Sequence, residues 1–113
     1  MKSGTDQALR DIWGVSKNAV FVVGDLGTIL FYDGAEWQPM GGGGLRTLTT
    51  VWGTSFEDVF AASFEGDILH FDGVLWQPVF CDETANFWGL WAGSPSDVVA
   101  VSSWGRIYRY RGE

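Results

Sequence analysis

Between Leu9 and Met40 the chain alternates short apolar runs with brief polar or glycine-bearing breaks, giving the four runs Leu9–Trp13, Val20–Val23, Thr28–Tyr32 and Glu36–Met40. Runs this short, rich in β-branched and aromatic residues and bounded by turn formers, predict β-strands. The two middle runs are apolar at odd and even positions alike. That pattern predicts strands covered on both faces, as in sheets stacked against neighbouring sheets.

The group of four runs recurs. Setting Trp13 over Trp52 over Trp91 gives a constant offset of 39 positions, with identical triplets at Ser16/Ser55/Ser94, Val20/Val59/Val98, Gly27/Gly66/Gly105, Ile29/Ile68/Ile107 and Gly34/Gly73/Gly112. Between Trp13–Pro39 and Trp52–Pro78, 13 of 27 positions are identical. A four-stranded unit of this period in tandem predicts an all-β fold of β-propeller blades. The expected blades, within a single repeat domain over 1–113, cover about 7–40, 46–80 and 85–113. The third is incomplete. Arg111-Gly112-Glu113 stands where the first two units have Asp-Gly-x-x-Trp, so the last outer strand is missing.

The connections carry turn chemistry. Gly27, Gly66 and Gly105 fall where a tight hairpin needs positive φ. Asp33-Gly34 and Asp72-Gly73 precede the outer strands, whose Trp37 and Trp76 are expected to cover the junction with the next unit. Ser55-Phe-Glu-Asp58 and Ser94-Pro-Ser-Asp97 have the form of helix capping boxes, but strand-type runs follow at once, so they are expected to stabilise turns. With Trp13, Trp52 and Trp91, these are folding residues.

The pattern Trp-Gly-x-Ser-x-x-Asp-Val-Phe-x-x-x-x-x-Gly-x-Ile-Leu-x-(Tyr/Phe)-Asp-Gly-x-x-Trp, clearest from Trp52 to Pro78, resembles a bacterial β-propeller repeat family. That family is akin to the Asp-box blades of sialidases and to the propeller of photosystem II assembly factors. The resemblance implies a blade and, beyond it, a binding surface or scaffold. It does not imply sialidase chemistry, because no arginine triad with a tyrosine nucleophile is reproduced.

Three blades raise the question of closure. Single-chain propellers use four to eight, and three full repeats would need 117 residues where the chain has 113. The expected remedy is a homodimer in which blade 1 of each chain packs on blade 3 of the other, completing a six-bladed ring. A chain that is one piece of a longer propeller is a second solution. A third is a β-trefoil, which also has three four-stranded repeats and closes as a monomer.

Composition narrows the partners. A net charge of −7 leaves no electrostatic footprint for nucleic acid or anionic lipid. One cysteine, Cys81, excludes an internal disulfide and a cysteine-based zinc site, and it is expected as a buried filler or, in a dimer, as an exposed thiol. No apolar run approaches the roughly 20 residues of a membrane span, and the polar start Met1–Asp6 is no signal peptide, so a soluble chain is expected.

Repeated positions serve the fold, so function is sought where the repeat breaks. Phe64 stands in place of Asp25, Trp104 aligns with Leu26 and Glu65, Trp88 with Arg10 and Thr49, and Phe80 with Gly41. In an up-and-down blade these connections share one rim. Phe64, Phe80, Trp88 and Trp104, with Asp25, Glu65 and Arg106, are therefore the expected ligand-binding residues, beside Asp67, Asp82 and Glu83. They combine flat apolar faces with carboxylates and a guanidinium, suited to stacking on sugar rings or anchoring a peptide. With seven Trp and eight Phe in the chain, the same aromatics have a second reading as packing or self-association groups. Phe56, in the opposite-rim turn, weakens the clustering.

Catalytic signals are poor. His70 is the single histidine, with no metal-ligand spacing around it, and the thrice-repeated Ser16, Ser55 and Ser94 follow the fold as a nucleophile would not. Gly41-Gly42-Gly43-Gly44 lacks the lysine and helix of a phosphate loop and reads as a flexible spacer. No metal or cofactor is expected. The function these features favour is a non-catalytic propeller module that self-assembles and presents a rim or central opening to a protein or glycan. The alternatives are a purely structural repeat fragment or artificial assembly without ligand, a lectin using the rim aromatics, and a hydrolase or lyase acting through channel carboxylates.

Overall fold

The computed structural model describes residues 5–94 and 96–111. The strands are β1 (Leu9–Ser16), β2 (Ala19–Gly24), β3 (Ile29–Tyr32), β4 (Trp37–Pro39), β5 (Leu48–Ser55), β6 (Asp58–Ser63), β7 (Asp67–Phe71), β8 (Trp76–Cys81), β9 (Phe87–Ser94), β10 (Asp97–Ser102) and β11 (Ile107–Tyr110). They form three antiparallel sheets, β1-β2-β3-β4, β5-β6-β7-β8 and β11-β10-β9. Register repeats with the sequence: Trp13 pairs with Phe21, Trp52 with Phe60 and Trp91 with Val99. Among the described residues the third unit has three strands, ending at β11. The β-trefoil is not: its strands would be shared in one closed barrel, whereas here each repeat closes its own sheet.

The sheets stack face to face. Because side chains alternate along a strand, each middle strand sends one set of residues backward, to the preceding sheet, and the other forward, to the next. Phe21, Val23 and Ile29 point forward and meet Val51, Val59, Leu69 and Phe71 pointing backward, forming the first joint. Phe60, Ala62 and Ile68 point forward and meet Val98 and Ala100, forming the second. Polar bonds reinforce both. The Val51 amide donates to Asp11 Oδ2 at 2.9 Å across the first joint. The Trp52 indole donates to the Ala92 carbonyl at 3.2 Å across the second, and Thr49 Oγ1 donates to the Phe87 carbonyl.

Trp76 does not cover the next unit as expected. It shares the backward face of its sheet with Val59, Leu69 and Phe71, is 4% exposed, and stacks on Phe71 at 5.3 Å in the joint with the preceding sheet. Its repeat mate Trp37 packs on Tyr32 at 5.0 Å.

The glycine linker is not a slack spacer either. A Cβ on Gly43 would lie 2.1 Å from the Gly27 carbonyl oxygen, and one on Gly42, at φ +107°, 2.7 Å from Trp76 Cβ. These glycines let backbone approach backbone where the linker crosses the first joint.

Candidate functional site

The β2–β3, β6–β7 and β10–β11 turns and the two inter-sheet linkers come together along one rim. Backbone bonds knit them: Gly27 N donates to the Arg46 carbonyl at 2.6 Å, Phe64 N to Thr47 at 2.9 Å, Asp82 N to Gly66 at 2.9 Å and Ser103 N to Asn86 at 3.1 Å. In the first and third turns two successive residues have positive φ, Leu26 (54°) with Gly27 (71°) and Trp104 (70°) with Gly105 (74°). That is the hairpin geometry usually given to Asn-Gly. A bulky residue in the left-handed region costs about 1–2 kcal/mol. Both strained residues are displayed to solvent, and Trp104 is 87% exposed.

Five of the residues expected at this site, Phe64, Glu65, Trp88, Trp104 and Arg106, are surface groups of the rim. Phe64 and Trp88 are half exposed and meet edge to face at 5.5 Å. The Trp88 indole donates to Ser103 Oγ at 2.9 Å, and Ser103 directly precedes Trp104 in the β10–β11 turn. Arg106 Nη1 donates to Thr84 Oγ1 at 2.7 Å and to the Tyr108 hydroxyl at 3.2 Å. Phe80 is apart from them: its ring packs against Phe87 and Tyr108 inside the second joint. Glu65 is tied down by the Thr47 amide, 2.8 Å from Oε1. Asp25 is paired with Arg10, whose hydrogen bond and charge hold the carboxyl below its ordinary range.

Asp82 is the most perturbed acid. Its carboxylate accepts from Thr84 Oγ1 at 2.7 Å, from the Thr84 amide at 2.9 Å and from the Tyr108 hydroxyl at 2.8 Å. These bonds bring its pKa down to about 2. Cys81 is exposed rather than buried, and its thiol is pushed up by the neighbouring Asp67 carboxylate. Sequence reasoning passed over Leu26 and Leu45, both exposed on this rim. The signal for Leu26 was its alignment with Trp104, an apolar residue directly before the repeated turn glycine.

Elsewhere, Phe56 packs on Phe31 and Phe71 at the opposite rim, and His70 Nε2 lies 3.0 Å from Asp58 Oδ1. A cleft of about 550 Å³ opens between the first two sheets, lined by Phe31, Met40, Phe71, Leu75, Trp76 and Gln77 among others; it contains none of the expected ligand-binding residues. Among the described residues no three His, Cys, Asp or Glu side chains gather as a metal site requires, and no helix is long and apolar enough to cross a membrane.

Stacked antiparallel units of four, four and three strands, each linked from its outer strand to the innermost strand of the next and with their turns on shared rims, define three consecutive blades of a β-propeller. Solved structures give the same fold. The chain is similar to YCF48 bound to D1 peptide, with TM-score 0.84 and 18% identity over 98% of this chain and 40% of that one. It is similar to YCF48 from Cyanidioschyzon merolae, with TM-score 0.80 and 22% identity over 96% and 35% of the two chains. The WD40 β-propeller domain of Doa1 superposes with TM-score 0.70 and 20% identity, over 97% and 40%. The chain therefore spans well under half the length of each. No protein-family model and no curated protein matches the sequence.

Proposed function

We propose that this chain is a non-catalytic propeller module that binds a protein partner in the manner of a peptide-anchoring surface and assembles with further copies of itself. The observation that carries the binding half is the run Phe64–Trp88–Trp104, three exposed rings on one rim, with Trp104 held outward by a strained backbone. Exposed aromatics beside a guanidinium are the composition of protein-recognition hot spots, and backbone strain is retained where display of the side chain matters. A solved propeller of the same fold holds a peptide, which supports this reading. The repeat is proposed to belong to the bacterial propeller family that it resembles, with blades over about 7–40, 46–80 and 85–113.

The test is selection of peptides from a random displayed library on the immobilised chain. Trp104→Ala and Phe64→Ala are each expected to weaken selected peptides at least about tenfold while leaving the circular dichroism spectrum unchanged. Undiminished binding by both variants would remove the rim site. Selective capture on a glycan array, lost in Trp104→Ala, would replace a protein partner by a carbohydrate.

A further inference from the structure

The two outer faces of the stack are made from the same repeat positions as its buried joints, and much of each is exposed, although Val22 and Leu30 at the centre of the backward face are already buried at 7% and 3%. On the forward side Ile29 and Ile68 are each 1% exposed, whereas Ile107 is 73% exposed; Val23 and Ala62 are buried, whereas Val101 is exposed. On the backward side Val51 is 1% exposed and its mate Ile12 62%, and Leu48 and Phe87 are buried where Leu9 is exposed. The indoles follow suit. Trp13 lies over Gly53, where a Cβ would come 2.8 Å from its ring, and Trp52 reaches Ala92; Trp91 has no following sheet and lies back over Gly93. Gly27 and Gly66 are each crowded by the carbonyl of the next linker, while nothing lies within 4 Å of a Cβ on Gly105.

We propose that two copies of this chain close on each other, the forward face of the third sheet of each seating on the backward face of the first sheet of the other. This deepens the self-association proposed above and is independent of the rim's ligand. The occupant is a second copy because the chain itself shows, twice, which backward face fits its forward face, and the first sheet carries that face with Leu9 and Ile12 exposed beside Val20, around a centre at Val22 and Leu30 that the single chain already buries. By the same register Trp91 of one copy lies over Gly14 of the second, as Trp13 lies over Gly53. Two such copies supply six blades, within the four to eight of known propellers, and meet about a two-fold axis through two identical joints.

The wild-type chain is expected to have a solution mass of twice 12.4 kDa. Ile107→Asp and Ile12→Asp, on opposite faces, are each expected to weaken the dimer at least about a hundredfold without changing the circular dichroism spectrum, because both positions are exposed in the single chain. Mixing the two variants restores one unaltered joint, so the mixture is expected to associate more tightly than either variant alone. Trp91→Phe, a milder change, is expected to cost about tenfold. A wild-type chain that stays monomeric at about 100 μM would overturn the proposal and assign both faces to another chain. A dimer broken by Ile107→Asp but untouched by Ile12→Asp would overturn it in favour of like faces meeting. Trp104→Ala, which tests the rim, is expected to leave the mass unchanged.

Discussion

The second joint and the free forward face of the third sheet are built from matching positions, and they differ in nearly every physical respect. Phe60, Ala62 and Ile68 are sealed against Val98 and Ala100, while Val99, Val101 and Ile107 at the corresponding positions face outward and are partly or largely exposed. An apolar residue in a repeat therefore has no stability value of its own. Its contribution depends on whether a neighbouring sheet is present to receive it.

The sharpest way to break this comparison is to truncate both sides. Phe60→Ala is expected to cost about 3–5 kcal/mol in urea unfolding, and Ile107→Ala, read on the dissociated single chain, within about 0.5 kcal/mol. Equal losses would mean that the free face is covered. The turn glycines give a smaller contrast. Gly66→Ala adds a Cβ 1.9 Å from the Asp82 carbonyl oxygen at φ +95° and is expected to cost about 2–4 kcal/mol. Gly105→Ala meets no atom, so only the left-handed backbone at φ +74° is penalised, by about 1–2 kcal/mol. Smaller again, Trp52→Phe loses the bond to Ala92 and is expected to cost about 1 kcal/mol, against almost nothing for Trp91→Phe in the single chain.

Acid sharpens the comparison between the two inner joints. Asp82 titrates at about 2 in the folded chain, below its ordinary 3.8. Its stabilising effect is therefore complete above pH 4 and is lost as pH falls from about 4 to about 2. It ties the second linker to Tyr108, whereas the first linker has Gly43 at the matching position. Asp82→Asn is expected to flatten the fall in melting temperature across that pH range, and an unchanged slope would assign acid lability to other carboxylates.

What could be read from the sequence was whatever a single repeat decides locally. The 39-residue offset, the strand periods and the positive φ of Gly27, Gly66 and Gly105 are properties of one unit, and the structure reproduces them. Trp76 shows where local reading stops. On a strand apolar on both faces, alternation separates the two sides but does not say which neighbour each side meets. Phe80 shows it again: alignment put it at the exit of an outer strand, and only the approach of Phe87 and Tyr108 from the next sheet draws it into the joint. The linker glycines were read as slack because the carbonyl that Gly43 must clear belongs to a residue 16 positions away. The display of Leu26 and Trp104 was hidden for a different reason, since nothing in a side chain announces that its backbone will be left-handed.

The stack has a direction, because its two ends are made from opposite faces of the repeat and are not alike. A body with a donor end and an acceptor end has two fates on meeting itself: it closes when the rotation per unit divides the circle, and it grows without limit when it does not. In the self-pairing proposed above, the wedge angle at the first and second joints decides between a finite ring and a fibre. A core substitution that alters that angle by a few degrees would be felt first as polymerisation, before any loss of fold.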